Sequence, residues 1–161
     1  MEGEHVEVEL RPMTDEEFAE WFPGLRERYA AEMVEEAGAT VDGAQKKAEA
    51  DMERLFPGGK PSDEQIVYVI EERGRRAGEL WIAEREDELT GRGLWIYDVH
   101  VDEAFRGQGL GRKAMLFAED EARRRGASQI GLNVFGGNEV ARNLYRSLGY
   151  EELAALMRKD L

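Results

Sequence analysis

The stretch FRGQGLGRKAM, residues 105–115, places glycine at 107, 109 and 111 between a run that reads as a strand, LWIYDVHV (94–101), and one that reads as a helix (110–125). The helix follows from Leu110, Ala114, Phe117, Ala118 and Ala122 recurring on one face, with Gly126 as its stop. A strand that passes through a glycine loop into a helix leaves the first helical N–H groups unpaired, at the positive end of the helix dipole. Glycines let a phosphate approach those amides, and Arg106 and Arg112 flank the loop as cationic donors. The sequence therefore predicts a pyrophosphate-binding loop, with a sharp turn alone as the simpler alternative.

Neither common nucleotide loop fits. A Walker loop ends in Gly-Lys-Ser/Thr, whereas Gly111 is followed by Arg112, Lys113 and Ala114, with no hydroxyl for a magnesium ion. Counted from Gly107, the dinucleotide fingerprint G-x-G-x-x-G requires glycine where Arg112 stands. Charge narrows the partners further. The 22 Lys and Arg against 35 Asp and Glu give a net charge of −13, which opposes nucleic acid and anionic membranes and favours a cationic substrate. The absence of cysteine excludes thiol nucleophiles, Cys-ligated zinc and iron–sulfur clusters, and with His5 and His100 as the only histidines there is no metal signature. No apolar run approaches the ~20 residues of a membrane span, and the acidic opening MEGEHVEVEL lacks the basic and apolar parts of a signal peptide. A soluble cytoplasmic protein is expected.

A single domain over 1–161 is expected, without repeats or linkers. HVEVELR (5–11) alternates as a half-buried strand and ends at Pro12. Thr14 and Glu17 have capping-box spacing ahead of Phe18, Trp21 and Phe22, so a helix begins there. Pro23 and Gly24 are expected to interrupt it, leaving 25–37 and 43–56 as two further helices that stop at Pro57, Gly58 and Gly59. This helical third carries the least chemical information. From residue 66 the texture is β: IVYVIEER, the turn GRRAG and ELWIAERE form a hairpin, and a loop around 89–93 leads into 94–101. Beyond the glycine helix, 128–135 reads as a strand and Asn138 as the N-cap of a helix striped by Val140, Ala141, Leu144, Tyr145 and Leu148. Gly149 stops that helix, and 150–157 reads as a last strand. A meander followed by strand–helix alternation implies a mixed sheet covered by helices, an α/β or α+β domain.

VHVDEAFRGQGLG, followed by NEVARNLYRSLGYEE, resembles the acyl-CoA-binding core of the GNAT superfamily of N-acetyltransferases. The family loop reads Arg/Gln-x-x-Gly-x-Gly/Ala, and Arg106, Gly107, Gln108, Gly109, Leu110 and Gly111 satisfy it. The resemblance spans 66–158 and puts 14–57 where the family varies and where the acceptor is usually chosen. It implies a mostly antiparallel mixed sheet with a splayed parallel pair, here 94–101 beside 128–135. It also implies acetyl-CoA as acyl donor, its pyrophosphate on the 106–111 loop next to Arg112 and its pantetheine arm along the backbone at Val99 and Val101, with Asn138 near that arm.

Acyl transfer to an amine needs a deprotonated nucleophile, oxyanion stabilisation and a proton for the departing thiolate. Tyr145 matches the tyrosine that resembles the family's general acid, and an ordinary phenol is protonated at neutral pH. The base is where this chain departs from the family. Relatives that acetylate protein N-termini carry a glutamate where LNV has Asn133, which takes no proton but can hold a water or an acceptor group. Asp98, a carboxylate in an otherwise apolar strand and on the face opposite Val99, is the preferred substitute. His100 on the same face and Glu79 on the neighbouring strand are further candidates, and water can also carry the proton.

The implied function is acetyl transfer from acetyl-CoA to a primary amine by direct attack on the thioester. A CoA-binding sensor or interaction domain without transferase activity is the alternative, and an unrelated phosphate-binding protein that prefers ATP or NAD is a third reading. The acceptor is a small-molecule or peptide amine, with cations favoured by charge. No nucleic-acid or membrane partner is expected, and a homodimer is implied only by the pairing of many relatives.

Overall fold

The computed structural model describes residues 7–88 and 91–161; residues 5 and 6 of the expected first strand, and 89 and 90 of the expected loop, lie outside them. Five strands, β1 (Val8–Pro12), β2 (Gln65–Glu72), β3 (Arg75–Asp87), β4 (Gly91–Val101) and β5 (Gln129–Leu132), form one sheet in sequence order. All neighbours are antiparallel except β4 and β5, which run parallel. This is the mixed sheet expected from a meander that gives way to alternation.

Helices cover both faces. On one face α3 (Leu110–Arg124) lays Met115, Ala118 and Ala122 on Tyr68, Leu80, Ile82, Leu94 and Ile96. Ala114, Ala118 and Ala122 recur every fourth residue and are buried, so the helix axis can approach the sheet closely. On the other face α1 (Asp15–Ala37) and α2 (Val41–Leu55) pack Phe18, Trp21, Leu25, Met52, Leu55 and Phe56 against Val67 and Trp81. The fourth helix, α4 (Glu139–Ser147), follows β5.

Three expectations need correction. Pro23 does not divide the first helix, because α1 is continuous from Asp15 to Ala37. Proline removes one helical hydrogen bond, but Phe18 and Trp21 before it and Leu25 after it are all anchored in the same aromatic core, which holds the turns on either side in line. The second helix begins at Val41 because the Thr40 side chain caps the Gly43 N–H at 3.1 Å. Finally, 150–157 is no strand: residues 151–161 have no regular structure and are exposed. Its apolar positions Leu153, Leu156 and Met157 do not alternate, and Glu152 and Arg158 bond to α4 and to the end of α1 rather than to the sheet.

β4 contains the feature that positions the site. Pairing with β3 runs in register from Gly78–Val101 to Trp81–Asp98 and then shifts, so that Ile82 faces Ile96 and Tyr97 is an extra residue. Through this bulge Leu94, Ile96 and Val99 all pack on the α3 side, while Tyr97 stacks on Trp81 at 4.7 Å and Asp98 meets α1 on the other. Gly78 permits the close approach beyond the bulge, since a Cβ there would lie 2.0 Å from the carbonyl oxygen of His100.

Candidate active site

β4 and β5 part after Ile96 and Leu132. Their pairing covers only Gly93–Gln129 to Ile96–Leu132, so residues 98–101 of β4 pair with β3 alone and turn their other backbone edge toward the gap. β5 is accordingly shorter than the expected 128–135. Asn133, exposed, stands just past its end. The side chains of Val99 and Val101 pack on the Ile70, Phe105 and Leu110 cluster, and their main chain lies on the edge that β5 leaves unpaired.

Beyond β4 the glycine loop enters α3 through Gly109, which has no side-chain cap to offer the helix. Gly107 and Gly109 have φ of 78° and 80°, so these positions need glycine for a left-handed turn. A Cβ at either would meet nothing within 4 Å, leaving the loop amides approachable. The side chain of Leu110 is buried in the core, which leaves only its N–H for a ligand, and Gln108 is exposed. Arg106 donates to the Val101 carbonyl at 2.9 Å and Arg112 to the Ser147 hydroxyl at 2.7 Å, so both arginines also tie the loop to its surroundings. An uncapped helix start with open glycine amides and two guanidiniums fits a pyrophosphate. The unpaired β4 edge beside it fits an amide-bearing arm.

Asn138 caps α4 with its side chain, accepting from Ala141 N–H at 3.2 Å. The helix brings Tyr145 to the α3 side of the sheet, half-buried, with its ring 6.0 Å from that of Tyr150. Burial, then the charges of Asp98 and Glu32, push the Tyr145 phenol up to about 12. These carboxylates are thus its electrostatic neighbours.

Asp98 does not stand as the free base expected from sequence. Its carboxylate, only 18% exposed, accepts from the Arg28 guanidinium of α1. Burial pushes it up, while Arg28 and His100 pull it down. Glu32, one turn beyond Arg28 and 3.9 Å from its Nε, is the residue that sequence reasoning missed. Burial and the charge of Asp98 push Glu32 up to about 7 against the pull of Arg28. Its side chain remains 42% exposed, open to solvent and to an incoming group. Nothing in an Ala/Glu-rich helix marks this glutamate; the only local sign is its i+4 spacing from an arginine.

The remaining candidates form a second group on the same face. Glu79 and His100 are cross-strand partners, and His100 Nε2 lies 3.4 Å from Asp102 Oδ1. Glu79 is 4% exposed, with Oε1 taken by Arg76 at 2.8 Å and Oε2 buried without a hydrogen-bond partner. Among the described residues these three side chains bring a donor atom each within 4.8 Å of one another, an arrangement the sequence reading did not assemble. Three guanidiniums oppose a metal ion there: Arg76 on Glu79, and Arg28 and Arg106, whose charges act on His100. Burial and those two arginines hold His100 below its ordinary value, hence neutral at pH 7.

Comparison with known proteins agrees with this geometry. Residues 30–150 match the model of the acetyltransferase (GNAT) family. An uncharacterised N-acetyltransferase of Bacillus subtilis, YdgE, is 34% identical over 155 residues, 94% of this chain and 97% of that protein. Streptothricin acetyltransferase of Streptomyces lavendulae is 30% identical over 146 residues, 82% of this chain and 76% of its own. The crystal structure of YycN, an uncharacterised N-acetyltransferase of Bacillus subtilis, superposes with a TM-score of 0.85 at 28% identity, covering 96% of this chain and 99% of that one. The chain belongs to the GNAT family of N-acetyltransferases.

Proposed function

We propose that the protein transfers the acetyl group of acetyl-CoA to a primary amine carried by a cationic small molecule or peptide. The observation that supports this reading is the open glycine loop at the start of α3 beside the β4 edge that β5 leaves unpaired, with Asp98 on β4 held to Arg28 of α1 and Glu32 one turn further along that helix, and with the charges of both carboxylates acting on Tyr145 of α4. Acetyl-CoA supplies an activated thioester. The amides of 107–111 with Arg106 and Arg112 bind its pyrophosphate, the open main chain at Val99 pairs with its arm, the Val101 carbonyl being taken by Arg106, and Asn138 stands beside that arm as well as capping α4.

An amine arrives as an ammonium ion and must lose a proton before it can attack. Glu32 and Asp98 draw the cation in, and Glu32, poised near neutral pH, accepts the proton at its carboxylate directly or through one water. Asp98, locked to Arg28, acts as a fixed charge and as the brace of α1. Tyr145 retains its proton throughout the neutral range and donates it from its phenolic oxygen to the departing sulfur. Asn133, exposed at the fork, and the Glu79–His100 pair hold the acceptor or its water. The Streptomyces relative is named for streptothricin; for this chain the acceptor class is argued from the carboxylates of the site.

The test is release of free CoA thiol from acetyl-CoA in the presence of an amine panel. Diamines and lysine-like amines are expected to react faster than amines carrying a carboxylate beside the nitrogen. A preference for anionic amines, or no release with any amine, contradicts the reading.

A further inference from the structure

Glu79, His100 and Asp102 each bring a hydrogen-bond acceptor within 4.8 Å of the other two, a grouping found among the described residues. Glu79 is 4% exposed, and its Oε2 is buried without a hydrogen-bond partner because Arg76 takes only Oε1, at 2.8 Å. A buried carboxylate oxygen left in this way destabilises the fold until a donor reaches it. His100 pairs with Glu79 across β3 and β4, and its Nε2 lies 3.4 Å from Asp102 Oδ1. Neutral at pH 7, the imidazole keeps one ring nitrogen as an acceptor. The N–H of Asp102 donates to the Ala77 carbonyl at 2.7 Å, which fixes its backbone, while its carboxylate is 45% exposed. The group therefore opens to solvent at Asp102.

The chemistry of these three side chains decides what they take. A primary ammonium carries three N–H donors and no acceptor, and the group offers one acceptor from each side chain. Charge points the same way. Among the described residues around it, four carboxylates, Glu32, Asp98, Glu79 and Asp102, stand against three guanidiniums, Arg28, Arg76 and Arg106, with His100 neutral. One negative charge is left over, which balances a single ammonium but not a divalent metal ion. Position supplies the rest. His100 and Asp98 share a face of β4 two residues apart, about 6.6 Å at ~3.3 Å per residue. A chain of about four or five methylenes spans that distance between two nitrogens.

We propose that Glu79, His100 and Asp102 hold the second ammonium of a primary diamine whose other nitrogen is acetylated beside Glu32 and Asp98. The place of the reacting nitrogen rests on the acetyl-transfer reading, and binding tests the pocket apart from turnover. Calorimetry on the full chain compares the five-carbon diamine cadaverine with pentylamine, which has the same carbon chain and one ammonium fewer. Cadaverine is expected to bind ~10-fold or more tightly, the worth of a hydrogen-bonded charge. Asp102→Asn, with its melting temperature kept, should erase that advantage and leave pentylamine binding as it was. Equal affinity of the two amines, or an advantage that survives Asp102→Asn, overturns the pocket, and so does manganese(II) binding that Asp102→Asn abolishes. Release of CoA thiol separates the two readings. Cadaverine bound through Asp102 but never acetylated counts against acetyl transfer alone, whereas equal turnover of the two amines counts against the pocket alone.

Discussion

The guanidinium of Arg28 on α1 donates to the carboxylate of Asp98 at the β4 bulge, joining residues 70 positions apart and fixing the helical third of the chain to the strand that lines the site. The pair is mostly enclosed, with 25% and 18% of the two side chains exposed. Replacing Arg28 by Met leaves a carboxylate with little water and no cation. A loss of about 2 kcal/mol is expected, below the figure for a fully buried pair, which lowers Tm by about 4–8 °C for a domain of this size. Adding Asp98→Asn should recover part of it. An unchanged Tm in the single variant would show that the pair is ornamental to stability.

Glu32 sets a pH dependence of activity. As the base it must be ionised, so kcat/KM should rise through about pH 7. Glu32→Gln should flatten that limb and lower kcat by ~10²-fold. The stability effect has the opposite sense. The folded protein holds this proton to about pH 7 and the unfolded chain to about 4.5, so the stability it contributes at low pH is lost as pH rises through that window. The Gln variant should therefore gain on the native chain between pH 4 and pH 8 in paired melting curves.

Tyr145→Phe keeps the ring and its packing against the Tyr150 side but removes the proton donor. A fall of ~10²-fold or more in kcat is expected, with acetyl-CoA binding by calorimetry unchanged. Full turnover in this variant would remove Tyr145 from the chemistry.

Two glycines separate backbone strain from close approach. Gly109→Ala forces φ of 80° on a residue with a Cβ that otherwise meets nothing, costing roughly 1–2 kcal/mol. Its larger effect should be on acetyl-CoA affinity, because the strain displaces the left-handed turn that presents the loop amides. Gly78→Ala puts a carbon 2.0 Å from the His100 carbonyl oxygen and should cost far more stability. Melting curves and acetyl-CoA titration of the two variants side by side check the contrast.

Much of this architecture is legible in local chemistry. The Thr14–Glu17 box, the Asn138 cap and the strand–glycine–helix passage all stand where the residues place them, because each is satisfied by neighbours within a few positions. What escapes sequence reading is set by distant packing. Pro23 is overridden by an aromatic core assembled from α1, α2 and β3. Glu32 is one of several glutamates on α1, and burial together with the charge of Asp98, turned toward α1 at the β4 bulge, makes it different. The apolar residues of 150–157 read as a strand, but Glu152 and Arg158 bond that segment to α4 and to the end of α1 rather than to the sheet, which local sequence does not reveal.

Thermal unfolding with saturating acetyl-CoA, against ATP and NAD at equal concentration, tests the central claim most directly. At ~100 times its dissociation constant a ligand adds about 2.7 kcal/mol, or about 5–10 °C for a domain of this size. The account predicts that rise with acetyl-CoA alone. No rise, or an equal rise with ATP or NAD, would contradict it.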